Sequence, residues 1–189
     1  MRVFVALPLP ADVREKLDLW LGPIRSEHPG LRWVRIHQIH LTLRFLGEVG
    51  NRTVEEAARI LEGYGSGPVR FRIDTAGTFP GRGGSPLPSV YWVGGQWDDA
   101  VRELAGSLAP LRDDRGSPGS TKRFRPHLTI ARQGRYNEKV DMPDPGPWTG
   151  TMDRAVVYES RLTASGPEYS VLRSFGLQHV KRATERKWG

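Results

Sequence analysis

One short pattern occurs twice in this chain, as His40-Leu41-Thr42-Leu43 and, eighty-seven residues later (127 − 40), as His127-Leu128-Thr129-Ile130. Successive side chains of a β-strand point to opposite faces. As strands, His40 and Thr42 therefore share one face while Leu41 and Leu43 share the other, and the same holds for His127 and Thr129. Two such strands want their leucine faces in a core and their polar faces along one cleft. Two imidazoles in one cleft suggest an acid and a base.

The remaining pattern supplies a frame for those strands. Residues 2 to 8 read as a strand. Pro10 and Asp12 open a helix whose apolar positions Val13, Leu17, Trp20, Leu21 and Ile24 fall at helical spacing, and Pro29-Gly30 ends it. Residues 31 to 34 and 39 to 46 read as strands. Thr53 with Glu56 has the spacing of a capping box for a helix reaching about Gly63. Residues 69 to 78 and 89 to 93 read as strands around the glycine- and proline-rich loop 79 to 88. In the second half Asp98 is a candidate cap for a helix carrying Val101, Leu104, Leu108 and Leu111. A polar, basic loop from Arg112 to Arg125 then leads into the second motif strand. Residues 134 to 149 read as loop, 151 to 163 as one long strand, and 168 to 179 as its partner.

The motif spacing is close to half the chain, so the expectation is an α+β fold in a single domain spanning 1–189. Its strands are mainly antiparallel and form two pseudo-symmetric lobes, approximately 1–90 and 91–189. Helices lie outside, and a central groove carries the two His-x-Thr motifs. Hydrophobic residues at 38% and charged residues at 26% are ordinary for a globular protein. With no cysteine there is neither a disulfide nor a thiolate metal site. The opening Met1 to Pro8 has no long apolar stretch after it, so neither a signal peptide nor a membrane span is expected, and the expected compartment is the cytoplasm. The net charge of +7 favours a polyanionic partner, with arginine the commoner cation and well suited to phosphate.

Each motif residue has a bland reading beside the chemical one. A single His-x-Thr arises by chance, and a lone histidine on a strand is more often structural. Two copies in apolar strands, each followed by an arginine, favour function. His40 and His127 are the candidate catalytic residues, because imidazole titrates near ~6.5. Thr42 and Thr129 are candidate substrate-binding hydroxyls on the same face. Arg132 follows His127 by five residues, and under strict alternation it leaves that face, so it needs a bulge or a bend to reach the cleft. Arg44 shares the parity of His40 but stands where the strand can bend near Phe45. His28, His37 and His179 lack the motif context and read as structural or solvated. Trp20, Trp33, Trp92 and Trp97 read as core or rim, with Trp33 or Tyr91 the candidates for a base-stacking surface. Zinc is the main chemical competitor, but threonine is a poor zinc ligand and neither motif contains a carboxylate. No metal and no cofactor is therefore expected.

These residues resemble the 2H phosphoesterase superfamily, which is defined by two His-x-Thr/Ser motifs. His40 to Gly47 and Arg125 to Arg132 look like its RNA 2′,3′-cyclic phosphodiesterase branch, historically called 2′-5′ RNA ligase. The opening Arg2 to Pro8, the segment from Gly77-Thr78-Phe79 to Trp92-Val93-Gly94, and Leu162 to Leu172 with Gly166-Pro167 and Tyr169 resemble that branch as well. The resemblance implies a bilobal fold with the motifs facing across a groove. It implies hydrolysis of a 2′,3′-cyclic phosphate at an RNA 3′ end to a 2′-phosphomonoester without metal, with Arg132 beside the threonines as a phosphate ligand. Run backwards with a 5′-hydroxyl RNA, the same site would form a 2′-5′ linkage without ATP. The implied partner is RNA bearing such ends, tRNA fragments among them, with no membrane partner and a monomeric enzyme. Arg82 and the loop 112 to 125 are candidates for the RNA backbone, against a solvated loop. The alternatives are a phosphodiesterase for a small cyclic nucleotide such as ADP-ribose cyclic phosphate, and a non-catalytic module that binds RNA ends.

Overall fold

The computed structural model describes residues 1–65, 67–81, 83, 85–113, 124–134, 139–164 and 166–178. Their elements run β1 (Arg2–Pro8), α1 (Ala11–Glu27), β2 (Arg32–Trp33), a 3-10 turn (Ile36–Gln38), β3 (His40–Glu48), α2 (Asn51–Glu62), β4 (Val69–Pro80), β5 (Pro88–Trp97), α3 (Ala100–Ser107), β6 (Leu128–Arg132), β7 (Trp148–Met152), β8 (Arg154–Thr163) and β9 (Gly166–Gly176). The nine strands form one sheet in the order β7-β4-β5-β6-β3-β1-β8-β9, with β2 added beside β6. All its pairings are antiparallel. The α+β class expected from the sequence is the class observed.

The two motif strands are neighbours at the middle of that order, with three further strands on each outer side. The two groups of four strands are not the two sequence halves. β8 and β9, from the end of the chain, complete the group that holds β1 and β3, while β4 to β7 form the other, so the division 1–90 and 91–189 does not follow the sheet. The seam between the groups is thin. Its β3–β6 register is the single pair Leu41 opposite Leu128, extended by Trp33 and Arg32 of β2 opposite Ala131 and Arg132.

One face of the sheet is the core. Leu41 and Leu128 are fully buried, and they join one apolar cluster with Val13, Leu17 and Leu21 of α1, Val54 and Leu61 of α2, and Val101 and Leu104 of α3. Burying each such leucine contributes about 1.5–3 kcal/mol relative to leaving it in water. α1 reaches across to the far group of strands, where Trp20 meets Trp148 of β7 edge-on at 6.1 Å.

Three local expectations differ from what forms. α2 begins at Asn51 after Gly50, with no side-chain cap. Thr53 is buried, and Glu56 pairs with Arg52 instead of reaching back to close a capping box. Asp98 does not cap α3. Its Oδ2 accepts from the backbone N–H and the Nε of Arg70 at 3.0 and 3.1 Å, which fastens the start of β4. Residues 151 to 163 are not one strand, because the chain breaks at Asp153 between β7 and β8, and these lie in opposite groups. Among the described residues no helix is long and apolar enough to cross a membrane.

Candidate active site

With Leu41 opposite Leu128 in an antiparallel pair, His40 stands across from Thr129 and Thr42 across from His127. The arrangement has a local two-fold axis between the leucines. All four polar side chains are half-buried on the face away from the core. On regular strands the two histidines are diagonal neighbours with Cα atoms about 7–8 Å apart. The rings are close enough for the charge of His127 to act on His40.

Both imidazoles are held the same way. His40 Nδ1 lies 2.6 Å from the carbonyl of Gln38, and His127 Nδ1 lies 2.6 Å from the carbonyl of Arg125, in each case two residues upstream. A carbonyl oxygen only accepts, so each Nδ1 carries the proton and donates it. Neutral, each ring then offers a basic Nε2, and protonated, each offers an Nε2–H. One orientation thus serves proton removal and proton delivery alike.

The surroundings keep these rings uncharged near neutral pH. The pKa of His40 falls from 6.5 to about 4, first through desolvation and then through the charges of His127 and Arg132, against the opposing pull of the Gln38 carbonyl. That of His127 is also lowered, again first by burial, with Arg132 and Arg125 adding to it. The burial is aromatic. His40 stacks on Phe4 at 4.9 Å and meets the edge of Tyr169 at 5.6 Å, while Phe79 meets His127 edge-on at 4.8 Å. Phe79 in turn lies beside Trp92, whose indole crosses β4 at Gly77, where a Cβ would overlap the ring.

A stability prediction follows from His40. An unfolded histidine gains its proton near 6.5, whereas the folded one holds off until about 4. Its contribution is therefore complete above pH 6.5 and is lost as pH falls toward 4, by at most about 3 kcal/mol. The urea midpoint of the wild type should decline over that window more steeply than that of His40→Gln. Parallel declines would refute the assignment.

Arg132 reaches the cleft by the bulge it needs. Tyr91 pairs with Ala131 while the next residue, Trp92, pairs with Thr129, so β6 carries one extra residue there. Ile130 and Ala131 both turn into the core, and Arg132 emerges on the face of Thr129. Its charge is felt by both histidines and by Tyr169. β3 repeats the irregularity, since Val5 pairs with Arg44 and Ala6 with Thr42. Here Arg44 turns away from the cleft, and its Nη2 donates to the carbonyls of Ala109 and Leu111 at 3.0 and 3.3 Å. The cleft face instead receives Phe45, which packs against Phe4 at 5.7 Å and stays 49% exposed. Phe45 is thus the counterpart of Arg132, each five residues after its histidine. Sequence reasoning passed over Phe45, although the shared spacing was there to be read.

Other candidates fall elsewhere. Tyr91 is no stacking surface, because it is fully buried and its hydroxyl accepts from the Val140 N–H. Trp33 packs against the core and donates its indole N–H to the carbonyl of His28. His37 is exposed, as its sequence context suggests, and stands at the rim of a pocket beside His40. His179, Arg82 and residues 114 to 123 of the basic loop lie outside the described residues. Among those described, no three His, Asp or Glu side chains come together as metal ligands.

Residues 7–89 match the family described as LigT like Phosphoesterase. An RNA 2′,3′-cyclic phosphodiesterase of Thermus thermophilus is 32% identical, covering 94% of this chain and 91% of its own. One of Thermotoga maritima is 30% identical, covering 91% and 93%. Among solved structures, a protein of Thermus thermophilus superposes with a TM-score of 0.80 at 28% identity, over 94% of this chain and 98% of that one. Escherichia coli LigT complexed with 3′-AMP gives 0.77 at 28% identity, over 93% and 97%. With about a third of its residues shared with such relatives over more than nine-tenths of its length, and with the same fold, the chain belongs to the LigT-like phosphoesterases, in the family of the RNA 2′,3′-cyclic phosphodiesterases.

Proposed function

We propose that this enzyme opens 2′,3′-cyclic phosphates at RNA 3′ ends and leaves 2′-phosphomonoesters, with His40 and His127 as its acid–base pair. The observation that carries the reading is the two-fold register of the motif strands, with both Nδ1 atoms tied to backbone carbonyls and both Nε2 atoms left for the cleft. One Nε2 takes a proton from water as the water oxygen bonds to phosphorus. The P–O3′ bond breaks, and the other ring gives its proton to O3′. Bound phosphate favours the protonated form of that second ring, offsetting the desolvation that otherwise keeps it neutral.

Thr42, Thr129 and Arg132 hold the non-bridging oxygens while negative charge builds on them. Phe45 offers an exposed ring for the terminal base, a contact of about 1–3 kcal/mol. The net charge of +7 supports RNA as the substrate. In this reading the enzyme works as a cytoplasmic monomer, tRNA fragments are among its substrates, and a 5′-hydroxyl in place of water reverses the reaction to a 2′-5′ linkage.

The test is incubation with an RNA oligonucleotide ending in 2′,3′-cyclic phosphate, with and without chelator. The expected product is the 2′-phosphate at the same rate in both. No conversion of the cyclic end, or conversion to the 3′-phosphate, would overturn the reading.

A further inference from the structure

A pocket of about 370 Å³ opens beside His40, and its lining includes none of the other three motif side chains. Arg14 of α1, Arg35 ahead of the 3-10 turn and His37 within it line one part, and Tyr158 of β8 with Glu168 and Tyr169 of β9 line another. Two guanidinium groups thus share the pocket with one carboxylate, which suits an anion. The two tyrosine rings, 6.2 Å apart and inclined at 50°, give it an aromatic side.

The pocket is fixed in relation to the phosphate seat. Gln38 donates its side-chain amide to the Pro167 carbonyl at 2.8 Å, and the carbonyl of the same Gln38 orients His40. Tyr169 is shared, since it borders the pocket, meets the His40 ring and lies in the field of Arg132. The size is within the range of small-molecule sites, roughly 300–1,000 Å³. A space of that size is on the scale of a single nucleotide. Phe45 is not part of the pocket lining, and Phe4 of β1 stands between it and Tyr158, so the terminal base and the upstream nucleoside meet different rings.

We infer that this pocket is a second nucleotide subsite, which takes the nucleotide on the 5′ side of the cyclic end. The phosphodiester joining the two nucleotides lies against Arg14 and Arg35, and the upstream nucleoside lies against Tyr158 and Tyr169. The inference rests on the cyclic phosphodiesterase reading and adds to it a preference for chains over mononucleotides.

The experiment compares kcat and KM for a mononucleoside 2′,3′-cyclic phosphate and for a dinucleotide ending in that same cyclic nucleotide. The wild type should show a KM about tenfold lower for the dinucleotide, an advantage that shrinks as salt rises. Arg14→Gln and Arg35→Gln, each assayed alone, should raise the dinucleotide KM toward the mononucleotide value and leave mononucleotide kinetics unchanged. Equal KM values for the two substrates in the wild type would overturn the inference without involving any variant. A dinucleotide advantage that survives both substitutions, or an equal loss on both substrates, would also overturn it. Failure to turn over either cyclic phosphate would instead sink the cyclic phosphodiesterase reading on which it rests.

Discussion

His40→Ala and His127→Ala are each expected to lower kcat on a cyclic-phosphate RNA end by about 10²–10⁴-fold, the usual share of a general acid or base. KM should change little, because Thr42, Thr129 and Arg132 remain to hold the phosphate. The double variant should lose much less than the product of the two single losses, since acid and base act in one step. Wild-type kcat against pH should be bell-shaped, because one ring must be neutral while the other is charged. Circular dichroism would separate a lost proton carrier from a lost fold. Full activity in either single variant would refute the pairing, and undiminished RNA binding by a wild type with no turnover would favour a binding module.

Arg132→Leu is the second large effect, a fall in kcat of about 10²–10³-fold, the scale for removing one donor to a developing oxyanion. Arg132→Lys should recover only part of it, because an ammonium keeps the charge but loses the planar fork that holds two oxygens. Arg44→Leu serves as the contrast. Its guanidinium is committed to the carbonyls of Ala109 and Leu111 after α3, so the change should lower the unfolding midpoint and leave kcat near that of the wild type. If Arg44→Leu abolishes turnover while Arg132→Leu does not, the two bulges have been read the wrong way round.

The face that carries the candidate site was legible in the sequence because a strand alternates with a period of two, and His-x-Thr between buried leucines leaves one choice of face. Strict alternation put Arg132 on the wrong side, and only the extra residue at Ile130-Ala131 returns it. Two consecutive small or apolar residues before an arginine hint at such a bulge, but a tight bend would look the same in sequence. The caps failed for a different reason. Thr53 and Asp98 have cap chemistry, yet α2 starts two residues ahead of Thr53, and Asp98 finds Arg70 of β4, a partner no local window contains. The grouping of strands was likewise hidden, since β8 and β9 return to β1 by long-range pairing that the order of elements along the chain does not announce.

The local axis between Leu41 and Leu128 bears on regiochemistry. In a site with perfect two-fold symmetry, the O2′ and O3′ atoms of a cyclic phosphate would be interchangeable. Either P–O bond would then break with equal ease, and a mixture of ends would leave the enzyme. Equivalence is lost where the two motif strands differ, with phenylalanine five residues after one histidine and arginine five after the other. A flat ring on one side and a cationic fork on the other let the sugar bind in only one sense. Under the proposed acid–base reading, the choice of which ester bond survives would fall to Phe45 and Arg132, because the two histidines are held alike by backbone carbonyls.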